Sequence, residues 1–322
     1  MCRNDTYTSL CYSKRNMSSH FEEKRRQLFF FIKEYGKTLA LLAFLLLTLL
    51  ELLFLSSNFL PKKMLVTFFD IGQGDAIFIE TPSGHQMLID GGPTNRVLEL
   101  LSKRMSYLDH DIDVVLETHP DADHVTGLIP VLDRYTVSEI VTSVAKSDTD
   151  IFGDLLRHID DEHAEVHVAR RGDVIDFHDG AVVTVLYPDT GYIPKKGDTN
   201  DASVSVVLTY GEESFLLTGD LPTTEESKLI QDVLSRHVTV YKAGHHGSKY
   251  SSGEQLLSYI RPEYSIISAG KGNKYGHPNP EAMTRLEKYS KEILSTIERG
   301  SITFMTDGRL LSVEYERSKV GN

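Results

Sequence analysis

The sequence predicts an α/β (α+β) domain, a sandwich of two mixed sheets with helices outside, preceded by a single transmembrane helix. Three observations lead there. A 23-residue apolar run, Thr38–Leu60, carries one charge, Glu51. From Met64 onward, short β-rich runs recur, separated by turns that contain Gly or Asp. Helical stretches fall between those runs, so hairpins mix with crossover helices.

At 1.5 Å per residue the apolar run can cross a hydrocarbon core of roughly 30 Å. A signal peptide would also be apolar. However, 37 residues precede the run, and "SSNFL" offers no small-x-small cleavage site. The expectation is an uncleaved anchor. Lys24, Arg25, Arg26, Lys33 and Lys37 lie before it, against Lys62 and Lys63 after it. The positive-inside rule then places the N-terminus in the cytoplasm and the large domain outside the cell membrane. The expected organisation is a basic cytoplasmic tail at 1–37, a span at 38–60 and a catalytic domain at 64–322. Residues 1–63 hold ten Lys/Arg against five Asp/Glu, a net of +5; the remainder holds 24 against 41, a net of −17.

Among 322 residues, 40% are hydrophobic and 25% charged, which places the main body among globular proteins. Both cysteines, Cys2 and Cys11, lie near the N-terminus. This excludes a disulfide framework and a cysteine-based metal site in the main body.

The strands are read from "MLVTFFD", "AIFIET", "QMLID", "DVVLET", "AVVTVLYP", "SVSVVLTY", "SFLLTGD", "VTVYKAG", "YSIISAG" and "SITFMTDG". Apolar residues at three- and four-residue spacing predict helices over Asn95–Met105, His124–Tyr135, Thr223–Ser235 and Pro280–Lys291.

The segment "LETHPDADHVTGL", Leu116–Leu128, crowds two histidines and two aspartates into six residues. Pro120 holds the chain off helical geometry, so His119, Asp121, Asp123 and His124 fan out from a loop after a strand. Imidazole nitrogen and carboxylate oxygen are the usual protein ligands of divalent transition metals. Alone, this segment reads better as a solvated acidic turn with His119 as a helix-entry residue. Other strands end the same way: "FLLTGD" in Asp220, "YKAGHHGS" in His245 and His246, while "KYGHPNP" supplies His277. Taken singly, each histidine reads as structural. Four histidines and three aspartates just beyond strand ends are what a metallohydrolase requires.

On five segments the chain resembles the metallo-β-lactamase superfamily, and within it the extracytoplasmic domain of the ComEC family of competence DNA-uptake proteins. These are "FFDIGQGDAIFIETPSGHQMLIDGG", "THPDADHVTGL", "DTNDASVSVVLTYGEESFLLTGD", "KAGHHGS" and "GHPNP", running from Phe68 to Pro280. The resemblance implies an αββα sandwich with a two-metal centre at one edge of the sheets. It makes His119, Asp121, Asp123 and His124 metal ligands, Asp220 the bridging ligand, and one of His245 and His246 a ligand of the second ion. Asp123 and His277 become the catalytic candidates. Asp75, Asp90, Asn200, Ser203, Lys242 and Ser248 become candidates for substrate binding or for shaping the site.

Two departures from the superfamily's commonest pattern stand out. Asp121 occupies the place of a second histidine. A further histidine ligand, usual before the bridging aspartate, has no counterpart; His158, His163, His167 and His178 lie outside a suitable context, and "DTNDAS" fills the place. The site is therefore rich in oxygen, which admits manganese beside zinc.

Two divalent ions roughly 3.5–4 Å apart would bring the pKa of a shared water toward roughly 7 and polarise the scissile group. The implied function is a membrane-anchored phosphodiesterase or nuclease acting on DNA, in the company of other competence proteins. A surface hydrolase of another phosphodiester or acyl substrate is an alternative on the same fold. An inactive interaction domain is another, but it would show eroded ligands. A net of −17 opposes non-specific DNA binding, so Lys242, Lys249, Lys271 and Lys274, near the ligand segments, are the groups expected to guide a strand.

Overall fold

The computed structural model describes residues 6–59, 63–195, 197–233 and 237–317. The chain divides into two units, Met1–Pro61 and Lys62–Asn322. In the first, one helix runs from Thr6 to Phe59, so the expected tail and span belong to a single helix. Residues 1–5, Leu60 and residues 318–322, which the expected boundaries include, lie outside the described residues. The stretch Glu22–Leu52 is long and apolar enough to cross a membrane. Phe29, Phe30, Leu41, Leu42, Leu45, Leu46 and Leu49 are all exposed, and they point to every side of the helix. A helix apolar all round needs a bilayer or protein about it.

The second unit holds both sheets. β1 (Met64–Phe68), β2 (Ile77–Glu80), β3 (Gln86–Ile89), β4 (Asp111–Leu116), β5 (Thr136–Thr142) and β6 (Glu165–Val168) succeed one another across the first. β7 (Val174–Asp176), β8 (Ala181–Tyr187), β9 (Ser205–Tyr210), β10 (Glu213–Leu217), β11 (Val240–Lys242), β12 (Tyr264–Ile267) and β13 (Glu292–Ser295) build the second in the same stepwise way. β14 (Ile302–Thr306) and β15 (Leu311–Tyr315) return to the first sheet beside β1.

The period-two alternation of strands sets the layers. Ile77, Ile79, Met87 and Ile89 face the core between the sheets, with Phe68, Phe215 and Phe304. Phe78 and Leu88 turn the other way, against Val97, Leu100 and Leu101 of helix Arg96–Arg104 and Phe152 and Leu155 of helix Asp150–Glu162. On the far side, Val207, Leu216 and Tyr241 meet Leu256, Leu257 and Leu286 of two more helices. The result is helix, sheet, sheet, helix, the architecture expected. Burying each such side chain contributes about 1.5–3 kcal/mol.

β3 to β6 run parallel, and so do β10 to β13. The loops that leave the carboxyl ends of β3, β4, β10, β11 and β12 carry most of the candidate site residues; Asp75 lies between β1 and β2, and Asn200 and Ser203 between β8 and β9. Parallel strands deliver their C-terminal loops to one edge, where open α/β sheets bind ligands.

The helix expected over His124–Tyr135 is two short ones, Ala122–Val125 and Leu128–Leu132. Pro130 has no N–H to continue the ladder. Gly127 also passes so close to Gly91 that a Cβ there would lie 1.9 Å from the Gly91 carbonyl. The stretch after Thr223 is likewise split, into Thr223–Glu226, Ser227–Leu229 and Ile230–Val233; Ser235, where it was expected to end, lies outside the described residues.

Candidate metal centre

Four imidazoles surround one carboxylate oxygen. The Nε2 atoms of His124, His245 and His246 lie 3.5 Å from Asp220 Oδ2, and that of His119 lies 3.9 Å from it. Asp123 Oδ2 is 3.4 Å from His246 Nε2, and Asp121 Oδ2 is 3.8 Å from His119 Nε2. The ligand candidates named from sequence are therefore brought together. Asp220, His119, His124 and His246 are buried, while Asp121 and Asp123 face a more open side.

The other ring nitrogens fix which atom is offered. Asp90, at the end of β3, accepts from the Thr118 amide (2.8 Å), the Thr118 hydroxyl (2.7 Å) and His124 Nδ1 (2.7 Å). Because the Thr118 hydroxyl donates to Asp90, its oxygen is left to accept from His119 Nδ1 at 2.9 Å. His246 Nδ1 donates to the Ser268 carbonyl at 3.0 Å. In all three rings Nδ1 carries a proton, which leaves Nε2, the atom that faces Asp220, as the one each ring can offer to a metal, the arrangement that outer partners impose on ligating histidines. His245 differs: its Nδ1 lies 3.4 Å from the Asn200 amide, and its ring is partly exposed.

The loop after β11 is strained in a useful way. His245 (φ 48°), His246 (φ 56°) and Gly247 (φ 83°) are consecutive left-handed residues. Such a run is uncommon outside functional sites, and it turns both imidazoles inward. At Gly247 only glycine fits, since a Cβ would meet Pro278 at 2.7 Å.

Charge balance explains the protonation of the metal-free cluster. Burial opposes ionisation of Asp220, yet His246 and His124 hold it well below the usual carboxylate range. Burial also opposes charge on the rings. Even so, Asp220 and Asp90 raise His124 well above its ordinary value, and Asp220 and Asp75 bring His246 up to about 9. Burial, reinforced by the charge on His124, lowers His119. Asp123 falls to about 2 against the effect of burial, through the close approach of His246 and the charge on His124. Protons thus stand where a cation would.

The donor set fits metal ions. The buried Nε2 atoms of His119, His124 and His246 and Oδ1 of Asp220 have no hydrogen-bond partner. Asp75, His124, Asp220 and His246 each present a donor atom within 4.8 Å of the others. An orphaned buried donor is costly, and four converging ones are the signature of an ion's place. This buried Asp/His/Asp/His cluster is compatible with a dinuclear metal site.

The remaining candidates take distinct places. Ser203 accepts the Asp220 amide at 3.2 Å, and Ser248 closes the turn onto the His245 carbonyl at 2.9 Å. His277 packs its ring against His245 (5.4 Å) and His246 (6.4 Å), with Nδ1 unpartnered. Burial and those two rings lower its pKa to about 4. Lys242 corrects the sequence reading: it does not face solvent, where it could guide a strand. Its side chain is 1% exposed and its ammonium pairs with Asp75 at 2.6 Å, with Asp75 in turn 3.4 Å from His246 Nδ1. Thr118, Thr199 and Ser268 escaped the sequence reading. Thr199 donates to Asp121 at 2.6 Å, from the segment that lacks the usual histidine. His158, His163, His167 and His178 pair locally with Asp133, the Asp160 carbonyl, Glu165 and Asp176, away from the cluster.

Comparison with known proteins agrees with this geometry. The family model described as the Metallo-beta-lactamase superfamily matches residues 69–271. The chain is 29% identical to "ComE operon protein 3" of Bacillus subtilis, over 76% of this chain and 33% of that one. It is 30% identical to "Recombination protein 2" of Haemophilus influenzae, over 78% and 30% of the two chains. It is 25% identical to "Competence protein ComA" of Neisseria gonorrhoeae, over 74% and 32%. The chain spans about a third of the length of these curated relatives. With the αββα layers, the strand-end ligand loops and this match in hand, the chain belongs to the metallo-β-lactamase superfamily and counts competence proteins among its relatives.

Proposed function

We propose that this protein is a membrane-anchored, metal-dependent phosphodiesterase that cleaves DNA outside the cytoplasmic membrane. The observation that carries the reading is the convergence of four Nε2 atoms on Asp220. In this reading Asp123, His124, His246 and Asp220 hold one ion. His119, Asp121, His245 and the shared Asp220 hold the other. When bound, two divalent ions supply an acidified water and neutralise charge on the attacked phosphate.

The chain's own residues do the rest. Asp90 and Thr118 lock the imidazole tautomers, Ser203 orients Asp220, and Thr199 holds Asp121 toward His119. His277, uncharged and with an unpartnered ring nitrogen at the rim, is placed to hydrogen-bond a substrate oxygen. Three aspartates among the donors favour a hard ion, so manganese is preferred to zinc. The names of the relatives, competence and recombination proteins, support DNA as substrate and other competence proteins as partners.

The test is hydrolysis of single-stranded DNA by the full chain. Manganese is expected to support cleavage at least as well as zinc. His277→Ala is expected to lower turnover by about 10²-fold, the usual scale for a positioned proton-transfer or hydrogen-bonding group, with metal content unchanged. Cleavage of a β-lactam or thioester, with no phosphodiester turned over under either metal, would contradict the reading. So would loss of metal in the His277 variant, which would make that residue a ligand.

Anchoring rests on the helix Glu22–Leu52, and orientation on the excess of basic residues before the span. A tag after Asn322 is expected to be cut by protease added to intact cells, or to spheroplasts where there is an outer membrane. A protected C-terminal tag with an exposed N-terminal one would reverse the orientation.

A further inference from the structure

Beside the metal centre, two lysine–tyrosine pairs stand on adjoining loops. Lys274 Nζ lies 4.9 Å from the centre of the Tyr275 ring, and Lys249 Nζ lies 5.1 Å from that of Tyr250. Both tyrosines are well exposed, at 53% and 66%. Core packing therefore does not account for either ring.

The loop that carries Tyr275 is nonetheless held firmly. Asn273 Oδ1 accepts the amides of Tyr275 (3.1 Å) and His277 (3.0 Å), while its Nδ2 donates to the carbonyls of Gly270 and His277. Asn279 ties this loop to the other one. Its amide donates to the Gly247 carbonyl, its Oδ1 accepts from the Lys249 amide, and its Nδ2 donates to the Gly276 carbonyl. Arg285 then donates to the Lys249 carbonyl at 3.0 Å. An exposed aromatic on so pinned a loop loses little freedom when something lies on it.

The placement gives that surface a direction. Tyr275 stacks on His277 at 5.6 Å and 24°, and His277 lies 5.4 Å from His245, which faces Asp220. Solvent-facing ring, inner ring and metal centre thus form one series. We propose that Tyr275, flanked by Lys274 and seconded by Tyr250 and Lys249, is a base-stacking platform that seats single-stranded nucleic acid with a phosphate at the metal centre. Stacking needs a π-face that any base supplies, so the site tolerates sequence, and the lysines contact the backbone. Local cations matter here because the net charge of −12 opposes general polyanion binding. The inference rests on the phosphodiesterase reading and names the substrate that this site takes.

The experiment separates the two. The full chain in detergent is titrated, in EDTA so that nothing is cut, with a short fluorescent oligothymidylate and with an abasic strand of equal length and charge. Wild type is expected to prefer the base-bearing strand by roughly tenfold, within the range seen for one base stacked on an aromatic ring. Tyr275→Ala is expected to erase that preference and Tyr275→Phe to keep it. Equal affinity of wild type for both strands, or a preference retained in Tyr275→Ala, would overturn the platform. A preference that obeys these expectations in a chain that cleaves no phosphodiester under any metal would leave the platform standing and remove only the catalytic reading.

Discussion

Asp220→Ala is expected to reduce hydrolysis by at least about 10³-fold, because in the proposed reading it is the ligand that both ions would share. Two-metal activation is worth several kcal/mol of transition-state stabilisation, and each ~1.4 kcal/mol lost is a factor of ten. The structure adds a second reason. Asp220 Oδ2 is the common neighbour of four imidazoles, and its negative charge is one of the causes that raise His124 and His246. Without it, four nitrogens face one another with no anion between them. His158→Ala serves as the control, since the polar partners of His158 among the described residues, Asp133 and Asp154, lie away from the centre. Its turnover is expected to stay within about twofold of wild type, as for surface substitutions generally. Comparable losses in the two variants would mean that the centre is misplaced.

The second large effect is on stability. Lys242→Met leaves the Asp75 carboxylate buried without its 2.6 Å partner. Breaking a buried pair by removing one member costs about 3–5 kcal/mol, because the remaining charge is uncompensated. Asp75 is held far below its ordinary pKa against burial, first by Lys242 and then by His246. His246 therefore softens the loss while it carries a proton. In a chain of this size the melting temperature is expected to fall by roughly 10 °C. Lys242→Met combined with Asp75→Leu removes both charges, and is expected to recover most of that loss. Thermal melts of the three variants decide it. A single variant as stable as wild type would show that the pair carries no weight.

This pair also marks where sequence reading stops. "VTVYKAG" is readable as a buried strand, but its lysine has a partner in "GQGDA", far away in the chain, and nothing local announces the pairing. The ligand candidates are readable for the opposite reason. Each sits just beyond a strand in its own turn, so local pattern alone places it at a strand end, and the parallel topology then collects those ends. Strands that are short runs of consecutive apolar residues, such as β2, β3 and β10, are equally plain. β6, "EVHV", is exposed at all four residues and carries no burial signal. β5, "TVSEIVT", mixes polar and apolar positions, and β7 has only three residues. Helix Asp150–Glu162 spaces Phe152, Leu155 and Ile159 three and four apart, a helical pattern legible in the sequence although no helix is expected there above. Thr118 and Ser268 act through a hydroxyl and a carbonyl, groups too common for any motif to single out.

The central claim is that ions take the place of protons around Asp220, and calorimetric titration of manganese into the EDTA-stripped full chain tests it most directly. Binding must displace protons held by His124, which is raised well above its ordinary value, and by His246, raised to about 9, so affinity should rise with pH. Wild type is predicted to bind two ions per chain with proton release, read from buffers of different ionisation enthalpy, and Asp220→Ala at most one, weakly. No saturable binding in wild type, or two ions bound unchanged in Asp220→Ala, would contradict the account.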